Sequence, residues 1–286
     1  MKLIYYISVF LLLFSCQKED KNLRITNPED YNKYLITAYN STFENAKLEK
    51  EYWSKRLRKD SSGIGEIRPL ANAYTLMFET SGDTTYLQNA EKLYRKAVVI
   101  SAHNKDAYQL ILAKNLLSQH RYQDAKIILV DSVKGSSIKR ASQFILFDIA
   151  MKLEAYAEAD QLLGKLENTN DYNYLIRLAE RNKHLKNNTA AIRNMEAAMK
   201  ISESRKNKKL QISSYLQLAE LYFSSGKIKE AYALLLKTLT LQPDNVQAKM
   251  QLARIVYSYE NNAKEANRIM DAVLVNYSSS DFLSFP

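Results

Sequence analysis

Small and large apolar residues recur along the chain in pairs four positions apart, with polar stretches between them. Seven strings share this form: ENAKL at 44–48, QNAEKLY at 88–94, QDAKIIL at 123–129, AEADQLL at 157–163, TAAIRNM at 189–195, KEAYALL at 229–235 and KEANRIM at 264–270. Their alanines, Ala46, Ala90, Ala125, Ala159, Ala191, Ala231 and Ala266, are spaced by 44, 35, 34, 32, 40 and 35 residues. Four residues after six of them stands a large apolar side chain: Tyr94, Leu129, Leu163, Met195, Leu235 or Met270; after Ala46 it is Lys50. Positions i and i+4 share a helix face, so each string predicts a helix with a small contact point beside a large one.

A second marker precedes several of these helices: Leu112-Ala113, Leu178-Ala179, Leu218-Ala219 and Leu252-Ala253. From its alanine to that of the following string is 12 residues in the first three cases and 13 in the last. The spacing predicts two helices joined by a tight turn, with facing alanines that let the axes approach to about 8 Å. Gly82 and Gly226 fall where such a turn must reverse the backbone quickly. Asn27-Pro28 followed by Glu29 and Asp30 predicts a helix start, with Asn as cap, Pro in the first position and acids at the positive end.

Within Ile212–Asn245, Tyr215, Leu218, Ala219, Tyr222, Gly226, Ile228, Ala231, Leu235, Leu241 and Pro243 stand in an order that resembles a tetratricopeptide repeat. The resemblance covers about residues 30–277 and is strongest over 106–139, 172–205 and 212–245. The unit around Ala159 has Phe147 where a small residue is usual, and the first unit has no clear Leu-small pair. The spacings of 44 and 40 predict longer loops near 59–67 and 202–211. The fold implied is all-α, a right-handed superhelical solenoid of about seven antiparallel helix pairs over 28–277, followed by a tail at 278–286. A solenoid needs a polar cap on its last repeat; either Phe282, Leu283 and Phe285 fold back over that face, or a partner covers it.

In this family the first helix of each unit lines a concave, peptide-binding face. The residues that the resemblance places there are Lys114, Asp148, Glu180, Glu220 and Arg254, with Phe223, Tyr257, Met151 and Leu117 as apolar anchors. The groove expected is acidic in its middle and basic at both ends. The Lys/Asn set of the family's carboxylate-clamp form is missing.

The N-terminus carries a separate signal. Met1-Lys2 precedes an uncharged run of twelve residues, Leu3–Phe14, then Ser15 and the only cysteine, Cys16. Crossing a bilayer takes about 20 residues of helix, so the run has the size of a signal-peptide core. A plain secretory signal would leave Cys16 as an unexplained free thiol. Leu13-Phe14-Ser15-Cys16 instead resembles a bacterial lipobox. That resemblance implies a cleaved signal at 1–15, acylation (palmitate or a similar chain) on Cys16, and a flexible tether over 16–27. Gln17-Lys18-Glu19-Asp20 resembles a surface-export signal of lipoproteins in one Gram-negative phylum. The expected location is the outer membrane, anchored by lipid, facing either the cell surface or the periplasm.

Composition agrees with helices: 6 Gly and 4 Pro in 286 residues is low for a chain of strands and turns. The net charge of +10 is local, concentrated at Lys55, Arg56, Arg58 and Lys59 and at Lys200, Arg205, Lys206, Lys208 and Lys209. These fall at helix ends, where cations suit the dipole, and export argues against nucleic acid. His103, His120 and His184 sit in different units, and no phosphate-binding glycine loop occurs. Ser136-x-x-Lys139 matches a serine–lysine hydrolase string without its companion motifs, and Asp83-Thr84-Thr85 and Asp131-Ser132-Val133 resemble an O-glycosylation string. The reading is a non-catalytic protein with no cofactor or metal: an envelope scaffold that binds a segment of another envelope or surface protein. The alternative is a structural subunit of an outer-membrane assembly or nutrient-uptake complex.

Overall fold

The computed structural model describes residues 24–36, 41–57, 63–132 and 139–274, and every regular element among them is a helix. In chain order these are α1 (Pro28–Leu35), α2 (Ser41–Arg56), α3 (Ile64–Ser81), α4 (Thr84–Ile100), α5 (Lys105–Ser118), α6 (Tyr122–Ser132), α7 (Lys139–Lys152), α8 (Tyr156–Lys165), α9 (Tyr172–His184), α10 (Asn188–Ser204), α11 (Lys208–Ser224), α12 (Ile228–Leu241), α13 (Val246–Ser258) and α14 (Ala263–Leu274). The signal at 1–15, Cys16, the tail at 278–286 and Ser136 lie outside the described residues.

All seven repeat alanines are buried, and so are Tyr94, Leu129, Leu163, Met195 and Leu235 four residues on. Of the Leu-small pairs, Leu112, Ala113, Ala179, Leu218, Ala219, Leu252 and Ala253 are buried and Leu178 is half-buried. From α3 onward the helices form six successive hairpins, α3–α4 to α13–α14, each packed on the next. Each hairpin turn holds one residue in the left-handed region: Gly82, His120, Glu154, Lys186, Gly226 and Asn261, with φ from 53° to 74°. Five helix starts are capped by side chains: Asp83, Asp171, Asn187, Asn207 and Asn245 each accept from a backbone N–H two or three residues on. Asp83 of the glycosylation-like string is thus the cap of α4, its Oδ1 accepting from Thr85 N at 2.9 Å.

Two expectations change. The 40-residue spacing before Ala231 is taken up by helix length: α10 and α11 have 17 residues each, and only residues 205–207 separate them. Phe147 is fully buried in the larger core, and Ala150 beside it supplies a small contact.

The larger surprise is α1. It starts as expected, with Asn27 Oδ1 accepting from Glu29 N, but it does not pair with α2. It packs on α12 and α14, at the far end of the chain. Tyr31, Tyr34 and Leu35 are buried there in the same core as Leu239 and Ile269. The Tyr31 hydroxyl donates to Glu265 Oε1 at 2.7 Å, and Arg268 Nη2 donates to Asn32 Oδ1 at 2.6 Å. Residues 25–27, expected at the end of a flexible tether, are held. The Glu260 carboxylate accepts from Ile25 N at 2.8 Å, from Thr26 N at 2.6 Å and from the Thr26 hydroxyl at 3.0 Å. The Tyr232 hydroxyl donates to Asp30 at 2.9 Å. Further on, the start of α2 meets the α12–α13 turn, where Thr42 N and Oγ1 donate to Asp244 Oδ2. The N-terminal segment is therefore strapped across the last two hairpins.

Candidate functional site: the concave face

The first helices of the hairpins present their unburied side chains toward one another across the inner face. On it opens a cavity of about 450 Å³ bounded by α9, α10, α11 and α13. Ala179, Met195, Leu216 and Leu221 give it an apolar floor; Glu180, Lys183, Gln217, Glu220, Gln247 and Gln251 give it polar walls. Glu180 and Glu220, both expected in the groove, thus line one cavity.

Glu220 is not free. Its Oε1 accepts from Arg254 Nη2 at 3.0 Å, and the Arg254 guanidinium lies over the Phe223 ring, 4.1 Å from its centre. Phe223 is therefore covered on one face by a cation rather than bare, and the three residues form one stacked unit between α11 and α13. Tyr257, one turn beyond Arg254, is 61% exposed. Met151, expected as an anchor, is buried in the core and offers no contact to a ligand. Leu117 is half-buried.

On α7, which packs against α9, Asp148 pairs with a residue that the sequence reading missed. Arg177 is only 7% exposed. Its Nη2 donates to Asp148 Oδ2 at 2.6 Å, its Nε to Phe144 O at 3.0 Å and its Nη1 to Asn173 O at 2.9 Å. The guanidinium also stacks on Phe144 at 4.6 Å. Each of its three nitrogens donates a hydrogen bond, so this buried cation ties α7 to α9 across the short α8. An arginine at this position looks like any solvated helix charge in sequence; its partners are 29 and 33 residues away.

The face crowds its charges. Burial pushes the Asp148 carboxyl up, against the opposing pull of Arg177. Burial, then the nearby Asp148, pushes the Glu180 carboxyl up as well. Burial and next Arg177 bring the Lys114 ammonium down. Lys114 and Glu180 have accessible surface, yet protein rather than bulk water surrounds much of each, as a concave wall requires. Lys209, at the start of α11, adds to the field on Lys114 and lies 4.0 Å from Glu79 near the end of α3. The inner face thus curves until α3 and α11 nearly meet. The expected acidic stripe is largely neutralised: Asp148 and Glu220 have arginine partners, which leaves Glu180 as the carboxylate of the set without an ion pair among the described residues.

No constellation for catalysis assembles around these groups. His120 Nδ1 is 2.6 Å from the Tyr122 hydroxyl, and His184 stacks on Tyr156 in a different turn. Among the described residues no group of three His, Cys, Asp or Glu could hold a metal ion, and no helix is long and apolar enough to cross a membrane.

No family model matches the sequence, and no curated protein matches it. Solved structures do match. The chain is similar to an IFIT1 monomeric mutant bound to Gppp-AAAA, with a TM-score of 0.61 and 15% identity over 87% of this chain and 59% of that one. It is similar to Cut9 in the APC/C hetero-tetramer Cut9–Hcn1, with a TM-score of 0.57 and 13% identity over 87% of this chain and 46% of that one. Yeast Tom70 gives a TM-score of 0.54 at 13% identity, over 87% of this chain and 61% of that one. The chain spans about half to three-fifths of these proteins. Likeness at such identities speaks for fold alone, and the fold is a tetratricopeptide-like helical solenoid.

Proposed function

We propose that this chain is a non-catalytic scaffold of the bacterial envelope, anchored by lipid on Cys16, that holds a segment of another protein along its concave face. The observation that carries the binding half is the 450 Å³ cavity between α9, α11 and α13. Its three glutamine side chains offer both donors and acceptors, which suits the amides of a peptide backbone. Its apolar floor suits one inserted side chain, the contact that supplies most affinity in such interfaces. Glu180 in its wall opposes a phosphodiester, so a nucleic acid like the one bound to IFIT1 is disfavoured. Cut9, held in an assembly with Hcn1, is the nearer analogy.

The anchor half rests on the lipobox-like LFSC string. Combined with the strap, it gives the scaffold an orientation. Residues 16–24 can span at most about 32 Å at ~3.5 Å per residue, and residue 25 is pinned to Glu260 in the α13–α14 turn. The last hairpin would then sit close to the bilayer, with the earlier ones reaching away from it. Carbonate-washed membranes test the anchor. The wild type is expected in the pellet, and Cys16→Ala either uncleaved or in the soluble fraction; equal retention of a processed Cys16→Ala protein would overturn the lipid anchor.

A further inference from the structure

The strap fixes where the N-terminal chain leaves the solenoid. Ile25 and Thr26 are held by Glu260 in the α13–α14 turn, and Asn27 N donates to the Tyr232 hydroxyl on α12. Antiparallel hairpins packed in succession put their turns along one edge, so Arg24 emerges at that edge, beside the α11–α12 and α13–α14 turns. Over the last three turns this edge carries an excess of cations. Lys186, Lys227, Lys229 and Lys264 are exposed, as is Arg24. The neighbouring charges are engaged elsewhere: Arg181 pairs with Asp160, Lys183 lines the cavity, His184 stacks on Tyr156, Glu260 holds the strap and Glu265 pairs with Arg268. Glu230 is the acid that opposes the five cations. Helix stability does not account for them. Lys227 is the N-cap of α12, and Lys229 and Lys264 are the second residues of α12 and α14, at the positive ends of the helices, where a cation is unfavourable. The same edge shows Leu185, Tyr257 and Tyr259, which are 59%, 61% and 37% exposed.

We infer that the turn edge of the last three hairpins is a membrane-facing surface, whose cations meet anionic phospholipid headgroups of the bilayer that holds the anchor. The inference rests on the lipid anchor proposed above. The chain between Cys16 and the strap is short and leaves from this edge, so the edge is the part of the solenoid brought to the headgroups first. Each lysine or arginine near an anionic leaflet multiplies binding by about fivefold. Tyrosine, with an apolar ring and a polar hydroxyl, suits the headgroup level, and Leu185 adds apolar contact. A second basic cluster, Arg205, Lys206, Lys208 and Lys209, lies where α10 ends and α11 begins. The 17 residues of α11 put it about 25 Å from the turn edge, at the opposite edge of the solenoid. It matches the turn edge in charge but lies away from the tether, and so serves as an internal control.

The test uses the membrane-purified protein reconstituted into vesicles of phosphatidylcholine and phosphatidylglycerol at about 3:1, which supply the anionic surface. The reporter is Tyr259→Trp in a Trp53→Phe background, read by quenching from brominated phosphatidylcholine, and flotation reads the anchor separately. The reporter is expected to be quenched in these vesicles and not in pure phosphatidylcholine. Lys227→Glu, Lys229→Glu and Lys264→Glu together are expected to lower the docked-to-free ratio about a hundredfold and abolish quenching. Arg205→Glu, Lys206→Glu and Lys208→Glu together are expected to leave it unchanged. These side chains are exposed, so unchanged melting temperatures show that the variants fold. A protein that does not float with the vesicles overturns the anchor and this inference with it. A protein that floats with its reporter unquenched overturns this inference alone. So does quenching that persists in pure phosphatidylcholine or after the turn-edge reversals, or that the control reversals abolish equally.

Discussion

Replacing Glu260 by alanine should release the N-terminal segment without unfolding the solenoid. The Glu260 carboxylate accepts three hydrogen bonds, from Ile25 N, Thr26 N and the Thr26 hydroxyl, between 2.6 and 3.0 Å. Hydrogen bonds to a charged group contribute roughly 1.5–3 kcal/mol each when buried. Glu260 is half-open to solvent, so about 1 kcal/mol each, and about 3 kcal/mol in total, is the reasonable loss. At 1.4 kcal/mol per factor of ten, the docked population falls about a hundredfold relative to the open one. Tyr31, Tyr34 and Leu35 remain able to bury, so α1 rebinds but opens more often. Amide hydrogen exchange reads this directly: protection over 28–35 should fall by about two orders of magnitude, with that of α9–α12 unchanged. Glu260→Gln, which keeps an acceptor but loses the charge, should fall between. Unchanged exchange over 28–35 would refute the strap, and equal acceleration across α9–α12 would show that the segment is a global element rather than a local one.

Three further outcomes follow from the packing. Arg177→Met keeps the stack on Phe144 but strips Asp148 and two carbonyls of their donor; breaking a buried pair costs about 3–5 kcal/mol, and the partial exposure of Asp148 puts the loss near about 3 kcal/mol in denaturant unfolding. A loss under about 1 kcal/mol would mean that Arg177 does not join α7 to α9. Glu180 has a carboxyl whose pKa is raised in the folded state, so its ionised form opposes folding at neutral pH, and the opposition fades as pH falls through that raised pKa toward the ordinary carboxylate range. Glu180→Gln should therefore raise the melting temperature at pH 7 and lose its advantage near pH 4; an advantage that grows in acid would reverse the sign of the argument. Glu154→Gly and Lys186→Gly relieve side chains at φ 57° and 59° and should each stabilise by about 0.5–1 kcal/mol, whereas Gly226→Ala, at φ 74° with nothing within 4 Å of the new methyl, should cost a similar amount through backbone conformation alone.

The solenoid was legible because its periodicity is local. Each repeat alanine is followed by its large neighbour one turn on, and a single face of one helix suffices to read the pair. The turns were half legible: Gly82 and Gly226 announce a left-handed residue, while His120, Glu154, Lys186 and Asn261 adopt the same conformation with no such signature. The start of α1 was readable from Asn27-Pro28, but its destination was not. Tyr31, Tyr34 and Leu35 make an apolar face that would suit α2 as well as α12 and α14; Glu260, Glu265 and Tyr232, more than 200 residues away, decide the matter. The groove was legible by position and not by charge state. Glu180 and Glu220 do meet in one cavity, but nothing near Asp148 or Glu220 in sequence announces Arg177 or Arg254 as partners.

The scaffold reading is tested most directly by site-specific photocrosslinking in intact cells, with a benzophenone amino acid placed at Gln217 in the cavity wall or at Lys237 on α12, away from the cavity. The account predicts a discrete crosslinked adduct from Gln217, diminished by Glu180→Lys, and none from Lys237. An adduct from Lys237 with none from Gln217 would place the partner on the outer face and contradict it.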